Sequence, residues 1–276
     1  MTYKTILVHV DSSKYCPARL DMAVRLARRF DAHLVGLHAL TALRLPAYAI
    51  AEAGATLLEA QREIAHEQAA RAEAVFRHGT GSAGLPGVEW RVTADDAVDA
   101  TTLHGRYADL IVLGQPREND NSGVEPDFPE RVALAAGRPV LMVPYAGSFD
   151  VVGKRVLVAW NTSREATRAV TDAIPLLREA EHVNVVVFNP QGVAHGAVPG
   201  ADIGLYLARH GVKVEVAYHR ANDIDVGNQL LSRVADLGAD LIVMGAYGHS
   251  RMRELIMGGA TRTVLESMTA PVLLSH

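Results

Sequence analysis

Four glycines stand where the chain leaves one regular element for another: Gly245 and Gly248 in "GAYGHS", then Gly258-Gly259 further on. Glycine weakens helix and strand interiors, so a cluster at the exit of an apolar run calls for a specific use. One use is a phosphate cradle, made of outward-pointing backbone N–H groups, close backbone approach and a helix N-terminus. The other is a tight turn followed by a helix cap. Gly245 ends the run Leu241–Met244, and Gly248 lets the chain turn without a side chain in the way. Arg251–Met257 reads as about two helical turns, Gly258-Gly259 breaks it, and a further helix starts over Ala260–Met268. Two such turns facing one another give a cleft of amide donors without a carboxylate, which suits a polyphosphate. No Gly-Lys-Ser/Thr follows, so this is not a Walker loop. On spacing alone, anion binding and a structural turn stand level.

The elements that position this stretch occur twice. "KTILVHVDSSKYCPARLDMAVRLARRFDAHLVGLHAL" from Lys4 parallels "KRVLVAWNTSREATRAVTDAIPLLREAEHVNVVVFNP" from Lys154. "ADLIVLG" (108–114) parallels "ADLIVMG" (239–245), and "GRPVLMVPY" (137–145) parallels "TAPVLLSH" (269–276). Two homologous domains are expected, 1–147 and 152–276, joined near "AGSFDVVG" (146–153). Short continuous apolar runs (Ile6–Val10, Leu110–Leu113, Val156–Ala159, Val185–Phe188, Leu241–Met244) read as strands buried on both faces. Between them Leu20, Val24 and Ala27 share one helical face, as do Val170, Ile174 and Leu177. Alternating elements with short linkers predict α/β domains, each an open five-stranded parallel sheet with helices on both faces. Ligands of such sheets bind beyond the carboxyl ends of the strands, where Asp11, Asn161 and Gly245 fall.

The halves differ. The first carries an extra helical stretch over about Ile50 to Arg77, where the second has "GVAHGAVPGADIGLYLARHG". The glycines at 192, 196, 200 and 204 suggest close packing every fourth residue, or a loop running into a helix near Pro199. After Gly114 the glycine stretch is replaced by an acidic, proline-containing loop, so no nucleotide is expected in the first domain.

Composition narrows the function. Apolar residues make up 49% and charged residues 21%, and the net charge of −4 leaves no footprint for nucleic acid or an anionic membrane. No apolar run reaches the roughly 18 residues of a membrane span. The opening MTYKTILVHV lacks the features of a secretory leader, and the single cysteine, Cys16, fits a reducing compartment, so a cytoplasmic location is expected. Twelve histidines show no metal-ligand spacing; "AHEQAA" (65–70) lacks the second histidine of HExxH. His249 lies inside the glycine stretch and can reach phosphate, as can Arg251 and Arg253. Cys16 precedes Pro17 at a helix start, where the helix dipole lowers a thiol pKa, so it reads as a redox-sensing thiol or, more simply, as a partly buried inert one. Ser13 and Ser163 read as turn residues rather than nucleophiles, and Arg25, Arg28 and Arg29 as a solvated helix face.

The spacing G-x2-G-x9-G from Gly245, the first strand ending in Asp or Asn plus Ser, "ADLIVMG" and the closing "APVLLSH" together resemble the universal stress protein family, in tandem form and over essentially the whole chain. The resemblance implies adenine-nucleotide-binding-like domains that hold ATP, with Mg as its accompanying ion and no tightly held metal, without vigorous turnover. It implies that Gly245, Gly248 and Gly258 wrap the triphosphate and that the backbone of Phe188 lies by the adenine. Gly259 stands where the family usually has Ser or Thr; its N–H remains, and Thr261 can supply a hydroxyl two residues on. Asn161 replaces the usual Asp near the nucleoside and can still donate and accept. The expected protein is a regulatory module that binds ATP or a related adenine nucleotide in its second domain. A non-nucleotide scaffold for another small ligand or a regulatory protein is the alternative, and Glu254 is the one acidic residue in the stretch available to a slow ATPase. The resemblance also implies association through the last strand. Val140–Pro144 and Val272–Ser275, terminal strands with apolar edges, are expected to pair within the chain, with homodimerisation as a further step.

Overall fold

Residues 2–40, 47–115, 117, 123–189, 198–219, 225–246 and 259–276 are described by the computed structural model. They fall into two compact units, Tyr3–Val132 and Ala133–His276, the latter joined by the first two residues.

The first unit runs β1 (Thr5–His9), α1 (Cys16–Phe30), β2 (His33–Ala39), α2 (Ala47–Thr80), β3 (Val88–Thr93), α3 (Ala97–Gly105) and β4 (Leu110–Gly114), then enters α4 (Phe128–Ala135). Its strands lie in the order β3-β2-β1-β4, all parallel in the registered pairs. Ile6, Val8, Leu34, Leu110, Ile111 and Val112 are completely buried, as strands covered on both faces must be. Helix α1 buries Leu20, Ala23, Val24 and Ala27 and stops at Asp31, whose left-handed backbone (φ 51°) returns its N–H to the last turn. The long α2 lies where the sequence placed an extra helix. Its Phe76 is buried on Gly36 of β2, where a Cβ would come within 2.6 Å of the ring, and tilts against Trp90 at 5.2 Å.

The second unit comprises β5 (Val140–Val143), β6 (Arg155–Trp160), α5 (Arg164–Leu177), β7 (His182–Phe188), α6 (Ala201–Arg209), β8 (Val214–His219), α7 (Val226–Leu237), β9 (Leu241–Gly245), α8 (Gly259–Ser267) and β10 (Val272–Ser275). Strand order is β5-β10-β9-β6-β7-β8. The five strands β6 to β10 are parallel, and β5 runs antiparallel to β10 with Leu141 opposite Leu273. The two last strands of the repeat therefore pair, as their apolar edges required. Of the glycines spaced every fourth residue, Gly200 and Gly204 pack against Val216, at distances of 2.5 and 2.9 Å for an added Cβ. Gly192 and Gly196 lie outside the described residues.

One reading changes. Arg28 is not simply solvated: its Nε and Nη2 donate to the Ala83 carbonyl at 3.0 and 2.8 Å. Cys16 opens α1 as the buried, inert thiol: it is 1% exposed, and burial pushes its pKa up. The GxGxxG spacing of Gly79 to Gly84 closes α2 ahead of β3 instead of joining a strand to a helix. It therefore carries no dinucleotide fingerprint.

The repeated Ala-Asp before β4 and β9 has a plain structural use. Asp109 accepts the backbone N–H groups of Lys4 and Thr5 at 2.7 and 2.9 Å, and Asp240 accepts those of Gly153, Lys154 and Arg155 at 2.6, 3.1 and 3.1 Å. Each carboxylate ties the start of a central strand to its neighbour. Asp240→Ala should lower unfolding free energy by about 1.5–3 kcal/mol in urea titrations, the scale of hydrogen bonds to a charged group.

Candidate functional site

In the second unit β6 leads outward to β7 and β8, and the chain then returns to β9 on the other side of β6. The carboxyl ends of β6 and β9 thus flank a topological switch point, the usual ligand crevice of an open parallel sheet. Three elements meet this rim: the β6–α5 turn, the end of β9, and the N-terminus of α8, which begins at Gly259.

The β6–α5 turn is fixed by local polar contacts. Asn161 is exposed, and its Oδ1 accepts the Ser163 N–H at 3.1 Å across Thr162, whose backbone is left-handed at φ 64°. Ser163 Oγ then caps α5 by accepting the Ala166 N–H at 3.1 Å. Gly245 lies directly against that helix start: a Cβ there would meet Ala166 N at 2.4 Å and the Glu165 carbonyl carbon at 2.6 Å. Phe188 ends β7 half-buried, its ring tilted against His219 at 5.9 Å. Around Gly259 there is open space, with nothing within 4 Å of an added Cβ, while Thr261 is only 4% exposed and turned inward. Topology therefore gathers Asn161, Phe188, Gly245 and Gly259 at one rim. Gly248, His249 and Gly258 lie outside the described residues, as does Arg251–Met257.

One residue of this rim escaped the sequence reading. Glu165 is 8% exposed, and its side chain packs against Gly245. Burial alone would raise its pKa, but hydrogen bonds from its own backbone N–H, Arg164 and Ser163 hold it below the ordinary carboxylate range. Glu165 places a carboxylate on the α5 side of the rim, while the cleft of amide donors expected within the glycine stretch lies largely outside the described residues. An anionic ligand there is best served with a compensating cation.

The first unit has the same crevice between β1 and β4, and its own side chains fill it. Asp11, the counterpart of Asn161, is 3% exposed and pairs with Arg19, itself 5% exposed, at 2.8 Å. The guanidinium reaches on to Gly114, where a Cβ would lie 2.5 Å from Nη1. Asp11 Oδ1 also accepts the Ser13 N–H at 3.0 Å. Although burial disfavours its charge, Arg19 and His9 keep the Asp11 carboxyl below its usual pKa. At the position of Arg19 the second repeat has Ala169. The signal was available in the alignment of the halves: Asp11 with Arg19 becomes Asn161 with Ala169, a charge-compensated exchange.

His9, whose ring tilts against Phe128 at 4.8 Å, is 2% exposed, and its Nδ1 lies 3.6 Å from Asp11. Burial, opposed by Asp11 and reinforced by Arg19 and His38, lowers its pKa from 6.5 to about 3. Folded His9 is thus neutral where the unfolded imidazole is charged. Below pH 6.5 the unfolded chain takes up a proton that the folded chain refuses until about pH 3, so stability falls through this window as pH drops. The slope contributed by one such group approaches about 1.4 kcal/mol per pH unit. Urea titrations of His9→Gln between neutral and acid pH should show a loss shallower by that amount.

Comparison with known proteins agrees with the architecture. The universal stress protein family matches residues 2–144 and again 153–276. The chain is 27% identical over 220 residues to a universal stress protein of Synechocystis sp., covering 76% of this chain and 73% of that one. Among solved structures, a universal stress protein from Archaeoglobus fulgidus superposes with a TM-score of 0.73 at 16% identity, over 98% of this chain and 97% of that one. A functionally unknown protein from Pseudomonas aeruginosa gives 0.62 at 16% identity, over 99% and 92%. With two full family matches on two repeats, the chain belongs to the universal stress protein family, in tandem two-domain form.

Proposed function

We propose that this protein is a cytoplasmic regulatory module that binds ATP or a related adenine nucleotide at the carboxyl rim of its second domain, 152–276, while the first domain, 1–147, holds none. The observation carrying this reading is the meeting of the β6–α5 turn, the end of β9 and the start of α8 at one switch point. Backbone N–H groups at the first turn of α8 have no intrahelical partner and favour phosphate. The open space at Gly259 lets a ligand approach that backbone. Gly248 and Gly258 complete the cradle, His249 adds a contact to phosphate, and Asn161 and the Phe188 backbone receive the nucleoside. Mg accompanies the phosphates and offsets the Glu165 charge. Thr261, turned inward, contributes a hydroxyl only if the start of α8 shifts. In the first domain Arg19 and Asp11 neutralise one another in the space a ligand would need.

The same Glu165, together with the inward Thr261, favours a second reading, a scaffold whose rim takes a ligand other than a nucleotide. Equilibrium titration separates the two. ATP with Mg should bind the wild-type chain saturably at or below millimolar concentration, and Gly248→Val should abolish it. Asp11→Asn should leave nucleotide affinity unchanged. No saturation at millimolar ATP, or equal binding by the Gly248 variant, excludes the nucleotide reading.

A further inference from the structure

We propose that β8 is a self-association strand: two copies of the chain join edge to edge, β8 antiparallel to β8 about Ala217. Strand β8 ends the order of the second unit and pairs only with β7, so its outer backbone groups have no partner strand among the described residues. Glu215, Val216, Ala217 and Tyr218 are exposed, Val216 by 38% and Tyr218 by 62%. A six-residue exposed edge of this kind is a template for another strand unless it is blunted.

The corresponding edge of the first unit is blunted. On β3, Arg91 pairs with Glu89 at 2.8 Å, Glu89 faces His33 at 3.6 Å, and Arg91 meets His104 at 2.9 Å. Helix α2 packs on β2 and β3 as α6 packs on β8, so the two edges differ in their side chains. Among the described residues Glu215 makes no ion pair and His219 has no carboxylate partner. Among the described residues one strand thus carries an acid without an ion pair and an imidazole, packed on Phe188, without a carboxylate, four positions apart on the same face.

That spacing selects the occupant. Antiparallel pairing about Ala217 sets Glu215 of each copy opposite His219 of the other, and Val216 opposite Tyr218, each pair occurring twice. Strand alternation puts the apolar pairs on one face and the polar Glu215–His219 pairs, a carboxylate facing an imidazole, on the other. Centring the pair on Val216 instead sets Lys213 opposite His219 and leaves Glu215 facing Ala217. The sequence of β8 is therefore complementary to itself in one register. An interface limited to two short edges is small, so the association is weak and depends on concentration.

Sedimentation velocity of the full chain over a wide concentration range tests this. A monomer–dimer equilibrium is expected. Glu215→Lys should weaken it by about tenfold, through the loss of two hydrogen bonds between carboxylate and imidazole. The double exchange Glu215→Lys with His219→Glu should restore it, an outcome that a merely structural role for either residue would not produce. Tyr218→Lys gives an independent reading should the first variant misfold, and circular dichroism checks the fold of each. A chain monomeric throughout, a dimer indifferent to Glu215→Lys and Tyr218→Lys, or an exchange that fails to restore it overturns the proposal.

Discussion

Parallel strands buried on both faces can carry no polar chemistry along their length. Leu110, Ile111, Val112, Leu241, Ile242 and Val243 have no exposed surface, so charge, hydrogen bonding and ligand contact are displaced to the strand ends. The amino ends of the central strands are occupied by Asp109 and Asp240, which bind backbone N–H groups and serve the sheet itself. What remains for function is the opposite rim, and there the two repeats diverge.

The divergence is the loss of an internal ion pair in the second repeat. In the first unit the acid that follows β1 is enclosed and met by a guanidinium from the next helix. Removing one member of such a pair strands the other without water, so the pair is self-maintaining once formed. In the second unit neither charge is present. Asn161 stays exposed and Ala169 offers no charge to the rim. Duplication thus yields one crevice closed by the protein's own ions and one without that ion pair.

Much of this architecture could be read in the chain, because its signals are local or repeated. The apolar runs became strands within one to three residues, the helical stretch expected from about Ile50 became α2, and the closing apolar runs became β5 and β10. Other features depend on where a side chain ends, which periodicity does not encode. Arg19 lies on the apolar face of α1 and looks like an interruption until the strand end it reaches is known. Arg28 looked solvated because its acceptor, the Ala83 carbonyl, is fifty-five residues away. The thiol of Cys16 answers to burial more than to the helix it begins. Glu165 became part of the rim only because Gly245 lets β9 press against α5.

That close approach at Gly245 separates two kinds of constraint inside one glycine pattern. The space there is taken by backbone of the neighbouring helix, so a side chain is excluded whether or not a ligand ever arrives. Persistence of glycine at this position through a lineage would record how strand and helix meet. It would say little about retained binding, and a relative that had lost its ligand would keep it. Gly259, with open space around it, is free of that architectural demand. If the cradle proposed for the second domain holds a ligand, drift there would track it, making Gly259 the more informative position for telling binding members of the family from those that keep only the fold.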